Sequence, residues 1–523
     1  MKKMPEGTFN IHESSNIIVF VQNTIRLGDY MYKISLKEKD INFKDIEESI
    51  YGFVCRQACK MIVEILEKLD EKLMKERDKK IYRNKGFKKT TIKTIMGEIE
   101  YKRRVYEYKN EEGKKVYKYL LDEYLKMDSI GHISTNLVEK IVDLATDESY
   151  RKTADKVSEM TNQSISHSAA WNIIQNLGNK IKEKEKKEIQ LNKNQKLQGK
   201  NKTKVLFEEM DGLWINMQGK DRKSKKKGKK ELKLGIFYEG WEKKHEKKDR
   251  YVVKNKKAYA SFGSSKDFRN LREAKIAKEY NIDEIEIKIV NGDGAPWIKE
   301  AVEKDNSHFQ LDPFHRNQAI LRNIEDKTKA KKIIKKLSNG KIEEGLEMIT
   351  KLMIENNDNE EKMKKLENLY NYLVNNKEGI VLYKLRSDIS IPNPPKGVKY
   401  RNLGTMEHNI CDILAQRMKG NKTSWTKKGA SNLAKILAEK ASKELSSTIK
   451  LLLNKGIKEE KLEEIIEKIG LTASQANRKP KKSKIYKHKR ASIPFKNSAV
   501  TNGRKAIQKM LEDRCVSELR LSF

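Results

Sequence analysis

Apolar residues recur at two different periods along the chain, and the change of period divides it. From about residue 41 to 77 they recur at helical spacing, which predicts one long amphipathic helix. In residues 90–108 they alternate instead, with Gly97 at a turn, which predicts a β-hairpin. Residues 1–130 are therefore expected to form a module of one helix and one hairpin.

Residues 131–180 carry the apolar pattern of three short helices. The third is expected to begin after Ser166, a side chain suited to capping a helix. Two short helices joined by a polar turn are typical of a helix-turn-helix, whose second helix enters the major groove of DNA. Helices also pack in this way without binding DNA, and that alternative stays open. The candidate groove-facing side chains are polar: Ser164, Ser166, His167, Ser168 and Asn172.

Beyond residue 180 the pattern changes twice. Residues 181–204 are almost entirely charged or polar and predict an exposed helix or linker. In residues 205–326, three consecutive strands are followed by helix, strand, helix, strand and helix. This order predicts a ribonuclease-H-like α/β core with a mixed sheet. The predicted strands are 205–210, 231–238, 251–262, 285–289 and 308–311.

Three further segments complete the predicted organisation. Residues 327–400 have heptad-like apolar positions amid dense charge, which predicts an all-helical insertion that forms an arm. Residues 401–455 predict the last helices of the core. Residues 456–523 predict a basic arm that touches DNA phosphates, with a solubilising tail as the alternative. Its candidate contacts are Lys481, Lys482, Lys484, Lys487, Lys489 and Arg490.

Three acidic residues stand at marked points of the chain. Asp211 follows the first strand of the predicted core, Asp293 follows the fourth, and Glu407 lies on the expected inward face of a later helix. In open α/β sheets, sites gather at the carboxyl ends of strands. Carboxylates that converge there could hold two metal ions for phosphoryl transfer. The simpler alternatives are ordinary turns at the two Asp-Gly pairs, and an ion pair of Glu407 with Arg401 or Arg417.

The charge balance favours a polyanionic partner. The chain has 113 Lys and Arg against 75 Asp and Glu, a formal net charge of +38. Such a chain gains affinity for nucleic acid by releasing counterions from phosphates, although codon bias in a low-GC genome also enriches lysine. The four cysteines lack zinc-site spacing, which argues against a zinc site and a disulfide framework. No apolar run suits a membrane span or signal peptide, so we expect a cytoplasmic protein with no membrane partner. We also expect no small-molecule cofactor.

Four blocks of the sequence resemble the catalytic blocks of bacterial insertion-sequence transposases of the ISLre family, a group catalogued as an uncharacterised protein family. They are similar, more distantly, to mutator-like DDE transposases. The blocks are EEMDGLWINMQ, IVNGDGAPWIK, FQLDPFHRNQ and LGTMEHNICDILAQRMKGNKTSW. The resemblance implies a ribonuclease-H-like domain in which Asp211, Asp293 and Glu407 bind two Mg²⁺ or Mn²⁺ ions. It also implies that His315 is an active-site neighbour of these acids, with a core histidine as the alternative.

The activity that the resemblance implies is DNA transposition. The ends of an insertion sequence would be nicked, and the freed 3′-hydroxyl would attack target DNA. The implied partners are double-stranded DNA and further copies of the chain, at the nucleoid of a bacterial cell. Three other functions stay open: a ribonuclease-H-like nuclease without strand transfer, a non-catalytic helix-turn-helix protein, and an inactive transposase copy.

Overall fold

A computed structural model provides the structure of the 523-residue chain. It describes residues 42–125, 132–222, 228–245, 248–302, 306–420 and 423–449, together with the backbone of strands at 21–27, 30–36 and 129–130. The basic arm predicted for 456–523 lies outside the described residues, and so do its six candidate DNA contacts.

The N-terminal module contains the predicted long helix and the predicted hairpin. Leu66 of the helix is buried against Ile92 and Ile99 of the hairpin, whereas Met61 and Ile65 on the same predicted stripe remain exposed. The elements are β1 (Val21–Leu27), β2 (Tyr30–Leu36), α1 (Phe43–Glu76), β3 (Arg83–Thr94), β4 (Gly97–Lys109), β5 (Lys115–Lys118), α2 (Leu120–Tyr124), β6 (Ser129–Ile130) and β7 (Ile133–Ser134). The strands β1 and β2 pair with each other, and the other five form a sheet of order β5-β4-β3-β7-β6.

Residues Tyr108–Tyr117 are the described part of a second compact unit. They form a hairpin tip, in which the Asn110 amide donates to the Lys114 carbonyl at 2.9 Å. Gly113 has a φ of 77°, a left-handed conformation that glycine adopts without a steric penalty.

The three predicted helices follow as α3 (Thr135–Asp147), α4 (Tyr150–Met160) and α5 (His167–Lys193). Ser166 caps α5, since its hydroxyl accepts a hydrogen bond from the Ala169 amide at 3.1 Å. Of the exposed helix or linker expected from residue 181 onward, the first half is a helix, but it is not exposed throughout. The helix α5 continues unbroken through residue 181, and Glu185 and Glu188 are buried because lysines of later helices pair with them.

The central region forms the predicted mixed sheet. The elements are β8 (Val205–Asn216), β9 (Lys229–Tyr238), β10 (Trp241–His245), β11 (Lys248–Val253), β12 (Lys257–Ser261), α6 (Ser265–Glu279), β13 (Ile287–Gly292), α7 (Pro296–Lys299), β14 (Ser307–Leu311) and α8 (Pro313–Asn323). The strand order of the main sheet is β12-β9-β8-β13-β14. In it β9 is antiparallel to both β8 and β12, and β13 is parallel to both β8 and β14.

One predicted strand is wrong, because residues 251–262 form parts of two strands in different sheets. The backbone turns at Asn255, whose φ of 53° is incompatible with an extended strand. The first part belongs to β11, which joins a separate three-stranded sheet, and the second part is β12 of the main sheet.

The helical insertion is a packed layer rather than the predicted arm. It contains α9 (Lys327–Ser338), α10 (Ile342–Glu355) and α11 (Glu360–Asn375). Ile333 and Leu369 of these helices share a buried core with Val290 and Phe309 of the main sheet. The insertion is also not all-helical, since β15 (Val398–Lys399) pairs with β10.

The last helices cover the opposite face of the main sheet. They are α12 (Met406–Ile410), a π-helical turn (Cys411–Ala415), α13 (Gln416–Met418), α14 (Lys427–Ala441) and α15 (Leu445–Ile449). The apolar side of α14 is buried in one core with β8, β9 and α5. Among the described helices, not one combines the length and apolar character that a bilayer span requires.

Candidate metal centre

Asp211 lies within β8, not at its end as the sequence suggested. The parallel pairing of β13 with β8 stops where Asn291 faces Glu209, whereas β9 stays paired with β8 as far as Asn216. Asp211 therefore lies just beyond the last parallel pair, at the carboxyl edge of β13. The residue is 8% exposed, and one of its carboxylate oxygens accepts a hydrogen bond from the Gly212 amide at 2.6 Å.

Three side chains from distant parts of the sequence meet at this edge. Asp211, His315 and Glu407 each offer an oxygen or a ring nitrogen, and these atoms all lie within 4.8 Å of one another. The His315 Nε2 is 3.6 Å from the Asp211 Oδ2. Carboxylate and imidazole groups are ordinary ligands of divalent metals, so this donor set fits such an ion.

His315 is therefore beside an acid rather than enclosed in the apolar core. It lies in the first turn of α8, and Asp312 caps this helix by accepting from the Phe314 amide at 2.8 Å. The neighbouring Asp211 carboxylate raises the pKa of His315 above its ordinary value, and the charges of Asp312 and Asp293 raise it further. Burial acts in the opposite direction and lowers this pKa.

Glu407 is exposed, which corrects the expectation that it projects from the inward face of its helix. It follows the buried Met406 by one residue, about 100° around the helix, and so lies at the margin of the apolar stripe. The two ion-pair partners considered from the sequence are engaged elsewhere. The Arg401 guanidinium lies over the Tyr251 ring at 4.5 Å, and the Arg417 Nε donates to the Ala145 carbonyl at 2.9 Å.

Asp293 lies close to this cluster but outside it. Its carboxylate accepts a hydrogen bond from the Ala295 amide at 2.9 Å, as in a turn, while its carbonyl accepts from the Tyr372 hydroxyl of α11 at 3.0 Å. Burial raises the pKa of Asp293, and the negative charge of Asp211 adds to the rise. The metal-ion cluster thus includes two of the three predicted acids, with the third coupled to it by charge.

Glu231 is an acidic neighbour that sequence reasoning missed. Burial raises its pKa, and Asp293 and Asp211 act in the same direction, while Lys233 opposes them. A Cβ atom at Gly212 would come within 2.2 Å of a Glu231 carboxylate oxygen, so a side chain at position 212 would displace the Glu231 carboxylate from this place. The Asp-Gly pair at 211 and 212 was the available signal, because it marks a close approach as well as a turn.

The acids of this site have no lysine or arginine partner among the described residues. Within the part of the chain that the structure describes, no Lys or Arg nitrogen lies within ion-pair distance of Asp211, Asp293 or Glu407. Carboxylates held together without a counter-charge repel one another, and a buried one is costly. A divalent cation would relieve both effects.

The polar residues proposed for the DNA groove are on the protein surface. Ser166, His167, Ser168 and Asn172 are all exposed at the start of α5. Trp171 on the same turn is exposed as well. Ser164 lies on the preceding loop, where its carbonyl accepts from the Lys93 Nζ at 2.9 Å. Their exposure is compatible with DNA contact, and their role stays a prediction.

The relatives of this chain share one family description. The model of an uncharacterised protein family, UPF0236, matches residues 36–451. A UPF0236 protein of Caldanaerobacter subterraneus subsp. tengcongensis is 27% identical over 431 residues, 80% of this chain and 83% of the relative. Another of the same strain is 28% identical and covers 73% of each chain. One of Streptococcus gallolyticus, named for its place in the vanSb 3′ region, is 22% identical over 76% of this chain and 82% of its own. The chain belongs to the UPF0236 family.

Proposed function

We propose that this protein is a DDE transposase of a bacterial insertion sequence, with a ribonuclease-H-like core that binds two Mg²⁺ or Mn²⁺ ions. The observation that carries the proposal is the cluster of Asp211, His315 and Glu407 at the edge of the main sheet, with Asp293 beside it and no described Lys or Arg paired with these acids. The succession of β8, β9, β12, α6, β13, α7, β14 and α8 along the chain, with the five strands in one mixed sheet, supports the proposed core.

The metal ions would be held by Asp211 and Glu407, with Asp293 or His315 completing the set. Bound divalent ions activate an attacking oxygen and stabilise a leaving oxygen in phosphoryl transfer. The protein's own residues would position the DNA strand and exclude competing geometries. The His315 Nε2 lies 3.6 Å from the Asp211 Oδ2, and metal ligands bind in their deprotonated form, so a cation bound here would compete with protons for these side chains.

The proposed substrate is double-stranded DNA, both element ends and target. The positive charge of the chain supports this choice, as do the exposed polar residues at the start of α5. The lysines and arginine between 481 and 490 would contact phosphates without reading sequence. Transposition acts on both ends of an element, so we propose an assembly of at least two copies of the protein on DNA.

The name of one relative gives independent support. The Caldanaerobacter relative that is 28% identical carries a name that joins eleven locus labels of one strain. A gene that recurs at many loci in one genome is expected of a mobile element. An ordinary nuclease or regulator gives no reason for such repetition.

The proposal is tested by incubating the purified protein with labelled DNA that carries the end of its flanking element, with Mg²⁺ or Mn²⁺. We expect cleaved and joined products from the wild type and neither from Glu407→Gln. Cleavage without joining would replace the transposase with a nuclease. Tight binding without chemistry in either metal would favour a DNA-binding protein or an inactive copy.

A further inference from the structure

Buried polar side chains form a hydrogen-bonded network next to the acid cluster. We propose that Glu209, Asn291 and Asp312 are positioning residues, whose hydrogen bonds fix the spacing of the metal-binding side chains above them. None of the three would touch the metal or the substrate. The proposal rests on the metal-dependent function proposed above.

Glu209 joins the strand of Asp211 to the helix of Glu407. It lies two residues before Asp211 on β8, so both side chains are on the same face of the sheet. Its carboxylate is fully buried and accepts from the amides of Gly404 and Thr405, at 3.0 and 2.9 Å, and from the Thr405 hydroxyl. Thr405 is the residue directly before α12, and it lies two positions before Glu407. The start of that helix is thereby held against β8.

Asn291 joins Glu209 to the strand of Asp293 and to the helix of His315. Its side-chain amide donates to the Glu209 carboxylate at 3.1 Å and to the Asp312 carboxylate at 3.0 Å. Its carbonyl oxygen accepts from the Gln310 amide at 3.2 Å. Both donors and the acceptor of this asparagine are therefore used, and the residue is fully buried.

Asp312 completes the network on the side of His315. One carboxylate oxygen accepts from Asn291, and the other accepts from the Phe314 amide at 2.8 Å, which fixes the first turn of α8. His315 lies three residues after Asp312 on that turn. Each residue of the network, and Thr405 that it holds, thus stands two or three positions before a member of the acid site.

The chemistry of the network explains its residue types. Every described partner of the Glu209 carboxylate is a donor, including the Tyr238 hydroxyl at 2.6 Å. An asparagine at 291 can donate to two carboxylates at once, whereas an aspartate there would add a third negative charge. Replacing Glu209 by glutamine would keep one acceptor oxygen for the amides of Gly404 and Thr405, but it would turn an N–H group toward the Thr405 and Tyr238 hydroxyls, which now donate to the other oxygen.

The expected consequence is a change in metal affinity. Groups that orient metal ligands by hydrogen bonding typically contribute about 10- to 100-fold to metal affinity. We therefore expect Glu209→Gln to weaken Mn²⁺ binding about 10- to 100-fold, measured by isothermal titration of the full-length protein with MnCl₂. DNA affinity measured without metal should stay within about twofold of the wild type, because no DNA contact is altered.

Glu208→Gln is the matched control. Glu208 is the neighbour of Glu209 on the same strand and is equally buried, but it faces the other side of the sheet, where the Arg272 guanidinium donates to both of its oxygens at 2.6 and 2.7 Å. This variant should lower thermal stability and leave Mn²⁺ affinity unchanged. Equal losses of affinity in Glu208→Gln and Glu209→Gln would overturn the inference, since general loosening of the fold would explain both.

Two further variants keep the inference testable if Glu209→Gln does not fold. Thr405→Val removes the hydroxyl that donates to Glu209 and should weaken Mn²⁺ binding several-fold, whereas Thr405→Ser keeps the hydroxyl and should bind as the wild type does. Wild-type Mn²⁺ affinity in Glu209→Gln or in Thr405→Val would overturn the positioning role. If Asp211→Asn also binds Mn²⁺ like the wild type, the proposed metal site itself fails, and the two failures are distinguished.

Discussion

Acidic side chains cluster in two regions of this molecule, and among the described residues only one of these clusters includes lysines. Where α5, α6 and α14 pack together, Glu185, Glu188 and Glu439 surround Lys275, with N–O distances of 3.8, 3.8 and 3.0 Å. Lys435 pairs with Glu185 at 2.6 Å. We call these five residues the lysine–glutamate cluster. At the edge of the main sheet, Asp211, Asp293 and Glu407 have no such partner among the described residues.

The pKa values of acids in the two regions shift in opposite directions. Burial acts to raise the pKa of Glu439, but Lys275 and the Thr448 hydroxyl hold it at about 2. Burial also raises the pKa of Asp293, and there the neighbouring Asp211 adds to the rise. In the lysine–glutamate cluster, ion pairs between glutamates and lysines connect the helices. At the edge of the main sheet the acids have no lysine or arginine partner among the described residues, so a bound cation would balance their charge. This difference is the physical basis for assigning binding to one region and packing to the other.

The largest expected effect is on catalysis. Asp211→Asn and Glu407→Gln should each lower the rate of DNA cleavage by at least about 100-fold, because metal-ion stabilisation of the transition state is worth several kcal/mol. Glu185→Gln, a buried acid of the lysine–glutamate cluster, should leave the rate per folded molecule unchanged. Rates are compared at saturating Mn²⁺, after the folded fraction is measured. A comparable loss in Glu185→Gln would remove the distinction between the regions.

The second effect is on stability and concerns the cation of the lysine–glutamate cluster. Lys275→Met leaves three buried glutamates without their common partner and should cost about 3–5 kcal/mol in the free energy of unfolding. Urea unfolding of the variant and the wild type measures this loss. Asp211→Asn, which removes an uncompensated acid, should leave the metal-free protein as stable as the wild type or more stable. Equal destabilisation by both variants contradicts the comparison.

The third effect depends on pH. The folded pKa of Glu439, about 2, lies below its ordinary value of 4.5, so its stabilisation is present above pH 4.5 and is lost as the pH falls toward 2. A shift of this size corresponds to on the order of 3 kcal/mol. Glu439→Gln should therefore be less stable than the wild type at pH 7, with a smaller difference at pH 3. A difference that does not change between these pH values would show that lost packing, not charge, explains the effect.

The smallest effect is the response of metal-free protein to a cation. Millimolar Mn²⁺ should raise the unfolding temperature of the wild type, equivalent to about 1–3 kcal/mol when the ion exceeds its Kd by 10- to 100-fold. Because burial raises the pKa of Asp293 and Asp211 raises that of His315, protons compete for the site, and the increase should be smaller at pH 5.5 than at pH 8. Asp211→Asn should show little increase at either pH. An increase of the same size in this variant would place the bound ion elsewhere.

Local patterns predicted much of the fold. The turn at Gly97, the cap at Ser166 and the succession of strands and helices from residue 205 onward all depend on residues close in sequence. The split of the strand predicted for 251–262 was missed, because its cause is the left-handed backbone of Asn255, a single residue within an apolar run.

Features that depend on distant residues could not be predicted in the same way. The charged run after residue 180 suggested an exposed helix or linker, because the sequence does not show that Glu185 pairs with Lys435, 250 positions away. The pairing of β8 with β9 places Glu231 near Gly212, and the missing side chain of Gly212 leaves space for the Glu231 carboxylate beside the acid site. The sequence predicted both aspartates at the carboxyl ends of strands, and both follow the last parallel pair of β8 and β13 by two residues. The succession of strands was sufficient for that prediction. The exposure of Glu407 depended on the rotation of its helix.

The most direct test of the account is a crystal of the full-length protein grown with MnCl₂, with the anomalous scattering of manganese measured. The account predicts a manganese ion in contact with the carboxylates of Asp211 and Glu407, and none at the lysine–glutamate cluster, whose acids already have their cations. Crystals in which both carboxylates are ordered and no manganese contacts them would contradict the metal centre, and with it the proposed transposase.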